Sequence, residues 1–279
     1  MIELYFFKAI KVMPAVQRKE LSLAIKDLVD GVCSIYIWPM LGWQEIKQRY
    51  RRSVIGPFWL TISYGAMVGG MGPLYGRLLQ QDMSAYLPYL ATSFVIWVLL
   101  SGIILDACNA FIGAEGFIKQ VKMPLTVHVL RVVWKNLLIM AHNLVIIVIV
   151  AFFYPPNLSW SLLLIPLGLL LIAVNGVWVG ILFGLLCARF RDIPQMVASL
   201  VQVAFFLTPV MWRSDMLGRK QWVAELNPLY HFLEIVRAPM LGGIPPMSSW
   251  YAALLITVVG FPITLIVFSR YRARVPYWV

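Results

Sequence analysis

Six stretches of the chain read as mostly apolar runs near the ~20 residues that cross a bilayer as a helix. They are Val54–Tyr75, Leu87–Leu105, Val132–Tyr154, Leu162–Cys187, Met196–Trp212 and Trp250–Phe268, the fifth short enough to need its flanks. Between the fifth and sixth, Gln221–Leu241 mixes apolar residues with Glu225, Asn227, Pro228, His231, Glu234 and Arg237. This pattern predicts one or two short helices dipping into the membrane rather than a seventh span. Ahead of the spans, Leu21, Ala24, Ile25, Leu28, Val29 and Val32 recur at helical spacing, while Arg18, Lys19, Lys26, Asp27 and Asp30 fall on the other faces. Such an amphipathic helix suits the membrane surface or a partner's groove. After Pro39 a second piece, Trp43–Arg52, places Trp43, Ile46 and Tyr50 on one face and Lys47, Arg49, Arg51 and Arg52 toward the headgroups. The expected fold class is an all-α integral membrane protein. Residues 1–52 form an amphipathic interface region, and residues 53–279 form six transmembrane helices with short helices between the fifth and sixth.

Composition strengthens this reading. Apolar residues make up 61% of the 279 and charged residues only 13%, against roughly 25% charged in soluble domains. A soluble enzyme, a disordered tail and a secreted disulfide scaffold are excluded. Charge then sets orientation. Six spans leave both termini on one side, and that side collects nine Lys and Arg before residue 53. It also collects Lys119, Lys122, Arg131, Lys135, Arg189, Arg191, Arg270, Arg272 and Arg274. The other side holds Arg77, Arg213, Arg219, Lys220 and Arg237. Positive charge stays inside, so both termini are expected in the cytoplasm. The net charge of +11 then implies anionic membrane lipid rather than nucleic acid as its counterpart.

Several chemistries are absent from the sequence. There is no GxxxxGK[S/T] phosphate loop, so ATP is not expected to be hydrolysed by this chain. His128, His142 and His231 are scattered, Cys33, Cys108 and Cys187 are far apart, and no metal site is expected. The pairs Gly65–Gly69 and Gly72–Gly76, and then Gly176, Gly180 and Gly184, show the four-residue spacing that lets helices approach closely in lipid. The spacing fits packing within one chain or a seam between two copies. Asp106 near the end of the second span and Arg131 and Lys135 at the start of the third are expected to pair and staple those helix ends.

Five segments resemble, in order, those of bacterial ATP-binding-cassette permeases that export O-antigen and other polysaccharides. They are Arg49 to Trp59 (RYRRSVIGPFW), Glu115 to Pro124 (EGFIKQVKMP), Arg189 to Gln195 (RFRDIPQ), the pair Leu207–Trp212 and Leu226–Tyr230, and Arg274 to Trp278 (RVPYW). The resemblance covers residues 20 to 279. It implies an inner-membrane permease subunit, two copies of which form a channel driven by two separate ATPase subunits. ATP and Mg would bind those partners, with no cofactor on this chain. The implied cargo is a lipid-linked polysaccharide moving from the cytoplasmic to the periplasmic side. A teichoic-acid-like polymer or a small amphiphile is an alternative cargo. A membrane glycan-synthesis enzyme is a further alternative, disfavoured by the missing acidic catalytic pairs.

Within that frame Glu115, Gly116, Phe117, Ile118, Val121, Lys122 and Pro124 are expected to couple to the ATPase. Arg49, Arg51 and Arg52 are candidates for the lipid pyrophosphate, because guanidinium groups bind phosphate bidentately; anchoring at the basic face is the plainer role. Sugar rings pack their C–H faces on aromatic rings, so Trp59, Tyr64, Phe205, Phe206 and Trp212 are candidate channel residues. Thr208, Pro209, Asn227, Pro228 and Tyr230 are candidate periplasmic gate residues.

Overall fold

A computed structural model describes residues 15–51, 55–56, 58–156 and 159–279. Among the described residues every regular element is helical. The long elements are α1 (Ala15–Cys33), α2 (Ile37–Arg49), α3 (Phe58–Leu78), α4 (Met83–Cys108), α6 (Thr126–Phe153), α7 (Ile165–Arg189), α8 (Ile193–Leu207), α10 (Pro228–Met240) and α11 (Met247–Tyr271). Three short helices join them: α5 (Glu115–Gln120), α9 (Trp222–Glu225) and α12 (Val275–Trp278).

Among the described residues four helices are long and apolar enough to cross a membrane: Met83–Cys108, Thr126–Phe153, Trp160–Arg189 and Met247–Trp278, the third counted with its leading 3₁₀ turn and the fourth with the 3₁₀ turn and α12 that follow it. The other two predicted spans fall short. Helix α3 has 21 residues, but its glycines, Thr61, Ser63 and Arg77 dilute its apolar character. Helix α8 has 15 residues and rises only ~22 Å, against a hydrocarbon core of about 30 Å. It stops where Thr208 turns extended, with φ −87° and ψ 136°, because the residue before a proline (here Pro209) avoids the helical region. The predicted fifth span thus ends as non-helical chain over Thr208–Trp212.

Helix α4 is the axis of the bundle. Its apolar residues run all round, and Leu90 to Trp97 are all buried, as a helix surrounded by others requires. Helices α3, α6, α7, α8 and α10 pack against it. The α7 glycines give closeness within this chain. A Cβ on Gly180 would strike Val129 of α6, and one on Gly184 would lie 3.0 Å from Phe111. Gly72 and Gly76 likewise meet Leu87 and Met83, whereas Gly69 faces open space.

The amphipathic α1 differs from its predicted pattern. Leu21 and Ala24 pack inward, but Ile25, Val29 and Val32 remain exposed. Asp27, expected on a polar outer face, is buried instead. Its carboxylate accepts from the backbone N–H of Leu125 (3.2 Å) and Thr126 (3.1 Å) and from the Thr126 hydroxyl (2.8 Å). It therefore caps α6 from a different helix, as an N-cap side chain does within one. Arg272, just past α11, donates to the same carboxylate at 3.2 Å. The first and last long helices, α1 and α11, consequently meet at one end, which also carries the coupling segment and most of the basic residues.

Candidate functional site

At this basic end, the coupling segment forms a 3₁₀ turn (Ile112–Ala114) followed by the six-residue α5. Lys119 bridges back to Glu115 at 2.6 Å, and that cation holds the Glu115 carboxyl below its ordinary range. Ile118 is half-buried, while Glu115, Gly116, Lys119, Val121 and Lys122 are exposed and Pro124 is intermediate. Phe117 is 47% exposed, on a short helix with little to hold a free aromatic ring. It lines a cavity of about 310 Å³ together with Glu45, Asp106, Arg131 and Lys135. The staple predicted here forms in part. Lys135 contacts Asp106 at 2.9 Å, as expected, but Arg131 reaches Glu45 of α2, at 3.4 Å, which also holds Lys135. Asn136 donates to Asp106 at 2.9 Å. Glu45 was not among the residues singled out from sequence; its signal was an acidic group amid the basic run of α2.

Arg49 and Arg51 are both exposed at the end of α2. Arg52 lies outside the described residues, as do the start of the predicted first span (Val54) and Pro57 of the motif.

The candidate channel aromatics divide. Tyr64 of α3 meets Phe94 of α4 edge-to-face at 5.9 Å. Phe94 meets Phe205 of α8 at 6.1 Å, Trp97 meets Phe205 at 5.5 Å, and Phe206 follows at 5.4 Å. The Trp212 indole N–H donates to the Phe206 carbonyl at 3.0 Å. Four of the five candidates therefore belong to one aromatic run. Trp59 stands apart, 55% exposed on the outer surface of α3. Phe94 and Trp97 were missed as candidates; their three-residue spacing puts them on the α4 face that receives Phe205. Helices α3 and α8 thus lie along one side of α4. On α8, Gln195, Ser199, Gln202 and Phe206 form an exposed stripe, and Met196, Leu200, Val203 and Leu207 form another beside it.

The candidate gate residues come together at the opposite end. Thr208, Pro209 and Tyr230 are buried, Asn227 is half-buried and Pro228 is exposed. Asn227 donates to the Thr208 hydroxyl at 2.8 Å and accepts from Leu229 N–H at 3.0 Å, capping α10 with Pro228 in its first turn. Arg237 was counted from sequence among the charges of the far side, within the predicted short helices. It is 2% exposed. It donates to the Pro209 carbonyl (2.6 Å), the Tyr89 hydroxyl (2.7 Å) and the Ser93 hydroxyl (3.0 Å), and pairs with Glu234. Tyr89 shares its one hydroxyl hydrogen between the Pro209 and Trp212 carbonyls, both at 2.9 Å, and Tyr86 donates to that of Met211 at 2.7 Å. The Pro209, Met211 and Trp212 carbonyls, released where α8 stops short, are thus answered by α4 and α10, which is how non-helical chain persists at membrane depth. A cavity of about 590 Å³ opens beside this latch, lined by Tyr89, Tyr154, Arg213, Asp215 and Glu234.

Residues 38–241 match the sequence model described as "ABC-2 type transporter". The chain is 24% identical over 240 residues to the "O-antigen export system permease protein RfbA" of Klebsiella pneumoniae, covering 83% of this chain and 90% of that protein. It is 20% identical over 198 residues to the protein of the same name from Myxococcus xanthus, covering 70% and 76%.

Proposed function

Because the chain belongs to the ABC-2 type transporter family, we propose that it is the permease of an exporter carrying lipid-linked O-antigen or a related polysaccharide to the periplasmic side of the inner membrane. Membership makes it a multi-pass transporter permease that works with an ATP-binding subunit. The observation that carries the cargo is coverage: the likeness to O-antigen export permeases runs along 90% of the Klebsiella protein rather than over one shared segment.

In this reading α3 and α8 complete the four crossing helices to six, α8 being extended by the latched chain Thr208–Trp212. Two copies face each other across these helices. The exposed Gln195, Ser199 and Gln202 on α8, with the adjoining aromatic run, offer hydrogen bonds and ring faces to a sugar chain. Both termini lie in the cytoplasm, where two ATPase subunits holding ATP and Mg bear on Glu115 to Pro124. Arg49, Arg51 and Arg52 meet the lipid pyrophosphate at that surface. The Thr208–Pro209 chain and α10 (Asn227, Pro228, Tyr230) close the periplasmic end.

The test is a clean deletion in the source bacterium, followed by localisation of surface glycan and its lipid-linked precursor. Finished polymer retained at the cytoplasmic leaflet is the expected result. A strain that makes no polymer would point to a synthetic enzyme, and normal surface glycan would refute the cargo.

A further inference from the structure

At the basic end, α12 folds back beneath the join of α7 and α11 and leaves a cavity of about 360 Å³. Leu186 and Val267 form its floor, Tyr271 and Trp278 its walls, and Arg189 and Arg274 its rim. The walls touch at 5.7 Å between ring centroids. The Arg189 guanidinium lies 5.5 Å over the Trp278 ring and that of Arg274 lies 5.6 Å over Tyr271. Arg131, Arg213, Arg237 and Arg272 each have a carboxylate within 4 Å. Among the described residues neither Arg189 nor Arg274 has one, and no acidic residue lines the cavity. Two cations are therefore held in place by aromatic faces with their N–H donors left available.

A second feature points to the occupant. On α11 the exposed Val259, Ile263 and Ile266 form an outward stripe that ends at Arg270. From Val259 to Arg270 is ~16 Å along a helix, close to the thickness of one leaflet's hydrocarbon, about 15 Å. An apolar track of acyl-chain length thus ends beside a cationic, aromatic-walled cavity. Basic pockets between transmembrane helices at the cytoplasmic surface suit the headgroups of anionic lipids.

We propose that this cavity binds the phosphate headgroup of an anionic phospholipid, with Arg189 and Arg274 as its ligands and an acyl chain along α11. Placement in the cytoplasmic leaflet rests on the orientation given above. Binding itself does not depend on export, and an assay that reads no transport separates the two.

The purified full-length chain is titrated in detergent with phosphatidylglycerol and, separately, with phosphatidylcholine, and bound lipid is counted by native mass spectrometry. Phosphatidylglycerol should be retained in preference. Arg189→Gln with Arg274→Gln should weaken it about 30-fold, from the loss of two cationic contacts. Arg219→Gln, at the opposite end, should leave it unchanged. Both rim side chains are exposed, so the double variant should melt like the parent, and Arg189→Lys with Arg274→Lys should keep most of the binding. Equal retention of the two lipids, or an unaffected double variant, would overturn the proposal. So would full competition by millimolar inorganic phosphate, which would mean a site for free anion. Displacement of the lipid by added ATPase subunit would overturn it as well, marking a protein interface.

Discussion

Arg237→Met retains much of the side chain's length while removing its charge and every donor. The native guanidinium is nearly inaccessible and joins Glu234 of α10, Tyr89 and Ser93 of α4, and the Pro209 carbonyl. Pro209 would keep its bond from Tyr89, so that carbonyl is not orphaned. Glu234 would not fare so well: its side chain is 17% exposed, and Arg237 is the cation that pairs with it among the described residues. Leaving this carboxylate uncompensated costs about 3 kcal/mol, the low end for a fully buried charge, because the cavity it lines admits water. For a chain of this size that lowers the melting temperature by ~10 °C.

Adding Glu234→Gln removes the stranded charge. The double variant should therefore recover about 2–3 kcal/mol of the loss, the coupling that a buried pair carries. The assay is tryptophan-fluorescence melting of the purified full-length chain at one fixed scan rate, since unfolding of so apolar a chain is read as a rate. A single variant melting within ~2 °C of the parent, or a double variant no better than the single, would refute the reasoning.

Three further outcomes follow from the same contacts. Asp27→Ala should cost about 2–3 kcal/mol, because it uncaps α6 and strands Arg272 together, and proteolysis near residues 120–126 should report it first. Gly180→Ala should destabilise by about 1–3 kcal/mol through its collision with Val129, whereas Gly69→Ala, facing open space, should leave melting of the single chain unchanged; equal effects would contradict the packing. Glu115→Arg or Phe117→Asp should abolish export at normal membrane abundance and normal melting, and full export by both variants would remove the coupling role.

The fold was legible where a property is local and repeated. Apolar runs placed the long helices within a few residues, and charge placed Asp106, Lys135 and Arg131 at one end. What escaped was pairing between elements far apart in the chain. Asp27 obeys the helical pattern of a solvated residue, yet lies beside Thr126 because Gly31 lets α1 approach; a Cβ on Gly31 would sit 2.8 Å from Thr126 Cβ. Arg237 was counted as a far-side charge rather than a buried one because its partners, Tyr89 and Pro209, are 148 and 28 residues away. Phe94 and Trp97 were hidden by sitting in a helix apolar on all sides, where no face stands out. The candidate gate residues came from the family motifs and the candidate aromatics from the family's first and fifth spans, and neither source shows which of them are buried.

The contacts also rank how firmly each helix is held. Helix α4 is tied at its basic end through Asp106 to Lys135 and Asn136, and at the other end through Tyr89 and Ser93 to Arg237. Each such hydrogen bond to a charged group is worth about 1.5–3 kcal/mol. Helix α8 buries only Val197 along its length and meets α4 through aromatic edges, each worth about 0.5–1.5 kcal/mol beyond its area. Its far end is different, since Thr208–Trp212 is pinned by Tyr86, Tyr89, Asn227 and Arg237. A load applied at the basic end therefore meets least resistance by swinging α8 about its pinned end, with α4 as the fixed post. Backbone amide exchange should follow the same order, fast over Met196–Val203 and slow over Leu90–Leu100, because local opening tracks buried contact. Equal protection of the two helices would show that α8 is held by more than these contacts provide.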